Sequence, residues 1–244
     1  MTGVDPFPEP TIVPHGDAAL MVVWPGGVDE ATRRRVADAT RAIRADPFPG
    51  LIELVPGFTT VTAFYAPHRV LQRDATNRSP FEAARDHVRR ALTRRVSIAE
   101  APARTVVIPV CYEQEFGPDL EFVAQHSGLT PDQVIERHTA GHYRVHMLGF
   151  SPGFGYLGGL AAEIAVPRHA TPRTRVPSGS VGIGGPQTGV YPIESPGGWR
   201  LIGRTPSTMF DPRRRPPTLL ETGDEVRFRA IPRAEFDRLR QEST

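Results

Sequence analysis

Residues 142–192 read HYRVHMLGFSPGFGYLGGLAAEIAVPRHATPRTRVPSGSVGIGGPQTGVYP, and their composition limits the secondary structure that the second half of the chain can form. Glycine and proline recur so often that no long helix can form, because glycine loses too much conformational freedom and proline lacks an amide donor. The stretch therefore predicts short strands joined by tight turns. Polar and aromatic side chains lie among these turns, a mixture suited to holding a small polar ligand against backbone amides.

The segments around this stretch complete a predicted barrel. Before it, the apolar run 104–110 predicts a strand, and two helices are expected to begin at Gly117 and Thr130, where Gln133 can close a capping box. After it, further strands are expected at 199–203, 219–220 and 225–231, followed by a short C-terminal helix. Many short strands with two early helices favour a closed or nearly closed β-barrel over a parallel α/β sheet.

The first hundred residues predict a different unit. The order is an apolar strand ending at Trp24, a helix capped by Asp29, strands at 51–55 and 59–65, and a helix opened by Ser79 with Glu82 in the capping-box position. This order describes a small α+β domain. We therefore predict two domains, residues 1–102 and 103–244, in an α+β protein.

Composition excludes several function classes. The apolar and charged fractions, 39% and 23%, are those of a globular protein. All 29 basic residues are arginines, scattered among 27 acids without a basic stripe, so no nucleic-acid partner is expected. The absence of lysine rules out a Schiff base and a Walker A lysine on this chain. No apolar run is long enough to span a bilayer and the N-terminus lacks a signal-peptide pattern, which predicts a cytoplasmic protein without a membrane partner.

The glycines at 153, 155 and 158 match the dinucleotide fingerprint GxGxxG, but we reject that interpretation. The fingerprint needs a following helix and an acidic residue about twenty positions on, and neither fits here. The segment GFSPGFG is better interpreted as a nest of unpaired amides that could bind a carboxylate, a phosphate or an oxyanion. A purely structural turn packed by its aromatic residues is equally compatible with the spacing.

Other candidate residues are weighed against simpler explanations. Among Arg168, Arg173 and Arg175, which lie between prolines, at least one could grip a carboxylate, although surface exposure explains each equally well. In SGSVGIGGPQTG, residues 178–189, polar groups are flanked by glycines that would let a ligand approach the main chain, with ordinary hairpin turns slightly favoured. His138 is expected to be a core histidine, with a site role as the alternative.

The sequence assigns no catalytic residue. The histidines lie near serines and acids, but nothing resembles a nucleophile elbow or a metal-binding HEXXH helix, so no metal site is expected. The single cysteine, Cys111, follows an apolar strand and is expected to be a buried hydrophobic residue.

Motifs throughout the chain resemble the family of the 5-oxoprolinase B subunit, also called allophanate hydrolase subunit 1, which includes a bacterial sporulation-kinase inhibitor. The most specific segments are MLGFSPGFGYLGGL at 147–160, VPSGSVGIGGPQTGVYP at 176–192 and PGGWRLIGRTP at 196–206. HGDAAL at 15–20, VPGFTTV at 55–61, FGPDL at 116–120 and TGDEVRF at 222–228 extend the resemblance over nearly the whole chain.

The resemblance implies a small N-terminal α+β domain followed by a cyclophilin-like β-barrel domain. It also implies two partners, a homologous C subunit (allophanate hydrolase subunit 2-like) and an A-subunit-like protein. Together these would open 5-oxoproline to glutamate using ATP, whose site is not located on this chain. Three alternatives remain: a non-catalytic regulator of a histidine kinase, a carboxyltransferase subunit of a biotin-dependent, urea carboxylase-like system, and, by analogy of fold alone, a prolyl isomerase.

The resemblance locates the segments of the substrate site, and chemistry suggests roles within them. Amides of 149–155 and 180–185 would steady developing negative charge, Arg173 would hold the substrate carboxylate and Gln187 would orient the ring. The predicted substrate-binding residues are Gly149, Phe150, Pro152, Gly153, Phe154, Tyr156, Arg173, Ser180, Gln187 and Thr188.

Overall fold

A computed structural model of the chain describes residues 9–27, 30–72, 79–94 and 104–242. The chain divides into two compact units, residues 1–100 and 101–244. The predicted domain boundary at 102/103 lies outside the described residues, as does the helix cap predicted at Asp29.

Among the described residues, the first unit contains a sheet with strand order β1-β2-β4-β3, all antiparallel. Its elements are β1 (Thr11–Pro14), β2 (Ala19–Val23), α1 (Glu30–Ala45), β3 (Leu51–Pro56), β4 (Thr60–Tyr65), α2 (Pro67–Leu71) and α3 (Pro80–Thr93). Helix α3 begins with the predicted capping box, in which the Ser79 hydroxyl accepts from the Glu82 amide and the Glu82 carboxylate accepts from the Ser79 amide. Its buried face, Ala84 and Val88, packs in the apolar core of this unit.

The second unit holds the barrel. Its elements are β5 (Thr105–Val110), α4 (Leu120–Ser127), α5 (Pro131–Ala140), β6 (Tyr143–Leu148), β7 (Gly155–Gly158), a 3₁₀ helix (Ala162–Ile164), β8 (Arg173–Val176), β9 (Ser180–Gly184), β10 (Gln187–Val190), β11 (Ser195–Gly197), β12 (Arg200–Arg204), β13 (Glu225–Ala230) and α6 (Arg233–Glu242). The main sheet has the order β12-β9-β10-β7-β6-β13-β5, and β8 pairs with β11 separately.

The two edges of the main sheet meet. Cys111, directly after β5, exchanges two backbone hydrogen bonds of 2.9 Å with Arg204 at the end of β12. The pair β5–β13 is parallel and the other strand pairs are antiparallel. Joining the edges removes their unpaired backbone groups, as closure of a barrel does. The predicted nearly closed barrel is therefore confirmed, in a mixed α/β protein.

Two details of the second unit bear on the sequence expectations. The prediction of a strand at 219–220 is wrong. Leu220 is buried in the barrel core, but it lies in a loop that follows Pro216 and Pro217. In this loop only Thr218 forms a β-bridge, an isolated one to Phe210. In contrast, the predicted helices α4 and α5 are present, and Thr130 and Gln133 form the expected capping box. In the described part of the chain, no helix has the length and apolar character that crossing a membrane requires.

Candidate functional site

A group of aromatic side chains lies against the strands of the second unit. Neighbouring ring centroids are 4.9 to 6.3 Å apart and the ring planes are steeply inclined, the edge-to-face geometry that aromatic rings favour. We call this group the aromatic cluster; its members are Phe150, Phe154, Tyr156, Tyr191 and Trp199. Phe154, Tyr191 and Trp199 are almost fully buried, whereas Phe150 is 62% exposed.

Trp199 explains the glycines of β9 and β10. A Cβ on Gly184 would lie 2.6 Å from the Trp199 indole, and one on Gly189 would lie 3.1 Å from the same ring and 2.9 Å from the Gly155 carbonyl oxygen. These glycines are required because an aromatic ring packs directly on the backbone. The expectation that they let a ligand approach the main chain is therefore corrected: a side chain of the protein itself occupies that space.

The amides of β9 do not form an anion site. The strand lies between β10 and β12, so that its backbone groups pair with both neighbours. The flanking amides of Ser180 and Gly185 donate to the carbonyls of Pro177 (3.2 Å) and Val166 (2.8 Å). The role predicted for the 180–185 amides is thus wrong, because sheet pairing and turns consume them. The simpler expectation is confirmed: β9 and β10 form a hairpin through Gly185, which has φ +65°, and Pro186.

The loop before β7, residues 149–154, keeps some of the unpaired amides that the sequence predicts. The Gly149, Ser151 and Phe154 amides donate within the loop, to Phe154 (3.1 Å), Gly149 (2.8 Å) and Ser151 (3.0 Å) respectively. The amides of Phe150 and Gly153 have no hydrogen-bond partner among the described residues. The loop therefore offers two amide donors, whereas the sequence predicts a longer run of unpaired amides. The following residues enter β7 without a helix, which confirms the rejection of the dinucleotide fingerprint.

Phe150 is held in a strained turn. Its φ is +68°, and the hydrogen bond from the Ser151 amide to the Gly149 carbonyl closes a γ-turn around it. A positive φ is costly for a residue with a Cβ and is typical of ligand clamps and active sites. The strain holds a large apolar side chain out in solvent, where burial contributes little to folding. This combination favours a binding role for Phe150.

Arg173 is paired with a buried carboxylate of the protein itself. Its Nη2 donates to Asp119 Oδ1 over 2.8 Å, and its Nη1 lies 2.5 Å from His169 Nε2. Asp119 is almost fully buried and also accepts the Leu201 amide over 2.7 Å. Arg173 thus neutralises a carboxylate of the protein, and its contact with the carboxylate of the substrate stays a prediction.

The positive groups around Asp119 outweigh the effect of its burial on the pKa of the carboxyl. Burial alone would raise the pKa of the carboxyl, but the hydrogen bonds from Arg173, from the Leu201 amide and from His169 together lower the pKa below its usual value. Arg200 adds a further positive charge, with its Nη1 3.9 Å from Asp119 Oδ1 and its guanidinium 3.6 Å from the centre of the Phe122 ring. Asp119 is ionised at neutral pH and anchors two arginines.

Thr188 lies inside the barrel. Its hydroxyl donates to the Gly182 carbonyl over 3.0 Å and accepts from His138 Nε2 over 3.0 Å, while Tyr112 Oη donates to His138 Nδ1 over 2.7 Å. Burial lowers the pKa of His138 to about 3, so the ring is neutral. The expectation of a core histidine is confirmed. Thr188 is fully buried and its hydroxyl is already hydrogen-bonded, so the prediction that it contacts the substrate is wrong.

The remaining predicted residues divide between surface and interior. Pro152 is exposed in the Phe150 loop, and Gln187 is partly exposed at the start of β10, with no side-chain hydrogen bond to the described residues. Ser180 is buried at the start of β9. The structure therefore brings Gly149, Phe150, Pro152, Gly153, Phe154 and Tyr156 together in the loop and the aromatic cluster. Thr188 is buried inside the barrel, and Arg173 is paired with Asp119.

Sequence reasoning missed several residues that organise this region. Tyr191 and Trp199 lie in other segments of the sequence, and only the tertiary structure brings them onto the glycine-rich hairpin. The sequence marks Asp119 only as an acidic residue in the first turn of a helix, although it lies in the FGPDL motif. The signal that could have found Trp199 is the spacing of Gly182 and Gly184, which leaves one face of β9 bare for a ring.

A separate cavity of about 490 Å³ lies between α4, α5 and the end of β13. Acidic side chains, Glu113, Glu121 and Asp132, line it together with Tyr112 and Ile231. None of the predicted substrate-binding residues lines this cavity. The concave space and the aromatic cluster are therefore distinct features.

Comparison with known proteins places the chain in a family. The family model of the carboxyltransferase domain, subdomain C and D, matches residues 10–220. The B subunit of 5-oxoprolinase from Bacillus subtilis (strain 168) is 46% identical over 229 residues, 93% of this chain and 95% of that protein. The chain belongs to the 5-oxoprolinase B-subunit family. This confirms the resemblance seen in the sequence motifs.

Solved structures show the same fold. The crystal structure of TTHA0988 matches with a TM-score of 0.73 and 36% identity, covering 87% of this chain and 40% of that chain. The urea carboxylase of Kluyveromyces lactis matches with a TM-score of 0.74 over 99% of this chain and 24% of that chain, at 18% identity, which shows the fold alone. This family member thus spans less than half the length of those two solved chains.

Proposed function

We propose that the chain is the B subunit of a 5-oxoprolinase complex, acting with C-subunit-like and A-subunit-like proteins to open 5-oxoproline to glutamate at the expense of ATP. The observation that carries the proposal is the 46% identity to the Bacillus subtilis B subunit of 5-oxoprolinase, which extends over nearly the full length of both chains. The barrel, of the cyclophilin-like kind in this proposal, serves to carry the aromatic cluster.

The chemistry needs activation, because a lactam is a poor electrophile. Transfer of a phosphoryl group from ATP to the lactam oxygen would make the ring carbon reactive toward water. In this proposal the aromatic cluster packs against the ring, and Gln187, at the start of β10, orients it. The amides of Phe150 and Gly153, which have no partner among the described residues, would donate to the oxygen on which negative charge develops. The ATP site and the proton-transfer groups belong to the assembled complex.

The test is reconstitution. The chain is co-expressed with its C-subunit-like and A-subunit-like candidates, and glutamate release from 5-oxoproline is measured with and without ATP. Release that depends on ATP and on all the subunits supports the proposal. Co-purification of the subunits without release of glutamate contradicts the proposed substrate.

A second candidate is a carboxyltransferase subunit that uses carboxybiotin. The match to the carboxyltransferase domain model and the fold shared with the Kluyveromyces lactis urea carboxylase favour it. It is tested by adding carboxybiotin and urea to the same preparation and following loss of the carboxyl group from biotin. Transfer to urea in the absence of 5-oxoproline turnover would favour this candidate over the first.

A further inference from the structure

Most arginines near the aromatic cluster already have an acidic partner. Arg173 and Arg200 lie 2.8 and 3.9 Å from the Asp119 carboxylate, and Arg175 Nε lies 2.7 Å from Glu194 Oε2. Arg168 is exposed, and it has no acidic partner among the described residues. An arginine whose charge the protein does not neutralise remains available to an anionic ligand.

The position of Arg168 is set by the cluster. Its guanidinium carbon lies 5.5 Å from the centre of the Trp199 ring, within the range of a cation–π contact. Trp199 itself is fixed, because it is buried and packs on Gly182 and Gly184. The guanidinium is therefore held over a rigid surface, which reduces the conformational entropy that binding would cost.

Arg168 is also electrostatically coupled to the neighbouring ring. Burial raises the pKa of the Tyr191 phenol, and the Trp199 amide and the charge of Arg168 oppose that rise. Tyr191 in turn contacts Phe150, with ring centroids 6.3 Å apart. Arg168 contacts Trp199, and Phe150 contacts Phe154 and Tyr191, so both exposed side chains rest on the same buried aromatic cluster.

We propose that Arg168, held over Trp199, binds the carboxylate of a small cyclic ligand whose ring rests on Phe150. This inference rests on the proposed function, in which that ligand is 5-oxoproline. Arg168 is then the residue that distinguishes a lactam bearing a carboxylate from the same ring without one. A guanidinium can grip a carboxylate through two parallel hydrogen bonds, and loss of such a charge-assisted contact weakens binding about tenfold or more.

The experiment follows the indole N–H signal of Trp199 by NMR in the full chain, with the signal assigned through Trp24→Phe, which removes the other tryptophan. The probes are 5-oxoproline and 2-pyrrolidinone, the same lactam ring without the carboxylate. The proteins are the wild type, Arg168→Gln and the matched control Arg175→Gln, which changes an exposed arginine that is paired with Glu194.

We expect 5-oxoproline to shift the Trp199 signal saturably in the wild type and in Arg175→Gln, with affinity about tenfold or more weaker in Arg168→Gln. 2-Pyrrolidinone should bind all the proteins equally and more weakly. Equal affinity of Arg168→Gln and wild type for 5-oxoproline would overturn the inference, and so would the absence of any saturable shift in the wild type.

Glutamate release by the assembled complex separates this inference from the function on which it rests. With Arg168→Gln in the complex, KM for 5-oxoproline should rise by about the same factor, with a smaller change in kcat. A wild-type complex that releases no glutamate would defeat the proposed function, while the indole titration would still decide whether Arg168 binds the carboxylate.

Discussion

Replacing Asp119 with asparagine tests the charge cluster behind the candidate site. The carboxylate is 7% exposed and accepts from Arg173 over 2.8 Å, from the Leu201 amide over 2.7 Å and from His169 over 3.3 Å. Asparagine keeps the shape and can still accept from the Leu201 amide, but it has no charge. The variant therefore isolates the electrostatic contribution of the carboxylate.

The expected loss of unfolding free energy follows from burial. Removing one partner of a fully buried ion pair costs about 3–5 kcal/mol, because the other charge remains uncompensated. Arg173 is 30% exposed, so solvent screens part of this penalty. We expect Asp119→Asn to lower the free energy of unfolding by about 2–3 kcal/mol at neutral pH.

The stabilisation should depend on pH with a defined sign. The pKa of Asp119 is lowered in the folded protein, so the carboxylate contributes stability above the unfolded value near 3.8, and this contribution is lost as the pH falls below it. The difference between wild type and Asp119→Asn should be constant from about pH 5 to 7 and should shrink in more acidic solution.

The assay is urea unfolding followed at the indole N–H signal of Trp199, which reports on the second unit. Glu194→Gln is the control, because its ion pair with Arg175 is exposed and should contribute less than about 1 kcal/mol. Equal stability of Asp119→Asn and wild type at pH 7, or a difference that grows in acid, would refute the reasoning.

Other substitutions test the packing and the turn. Thr188→Val leaves the His138 Nε2–H without an acceptor and should cost about 1–3 kcal/mol by urea unfolding, whereas Thr188→Ser should restore most of it; equal values for the two would contradict the buried network. Gly184→Ala places a Cβ 2.6 Å from the indole and should cost about 1–3 kcal/mol, whereas Gly198→Ala, whose nearest contact is 3.7 Å, should be nearly neutral. Phe150→Gly should leave stability unchanged or raise it by up to about 1 kcal/mol while lowering 5-oxoproline turnover; a marked loss of stability would show that the side chain is structural.

Local signals predicted the elements well. The capping boxes at Ser79 and Thr130 were readable because all their atoms lie within four consecutive residues. The barrel was predictable because glycine and proline divide residues 142–192 into pieces too short for helices. The extra strand at 219–220 was wrong because two leucines indicate burial, and burial alone does not require a strand.

The site was harder to predict because its determinants are distant in sequence. Asp119, the acidic partner of Arg173, lies 54 residues earlier. The glycines at 182, 184 and 189 look the same whether a ligand or a side chain covers them, and only the fold shows that Trp199 does. The choice of Arg168 over its neighbours likewise depends on knowing which arginines are already paired.

The most direct test of the assignment is an omission experiment on the purified subunits. ATP-dependent glutamate release from 5-oxoproline is measured with the complete set and with this chain left out. The account predicts that release is lost without the chain and returns when it is added back. Release at the same rate without it would contradict the account.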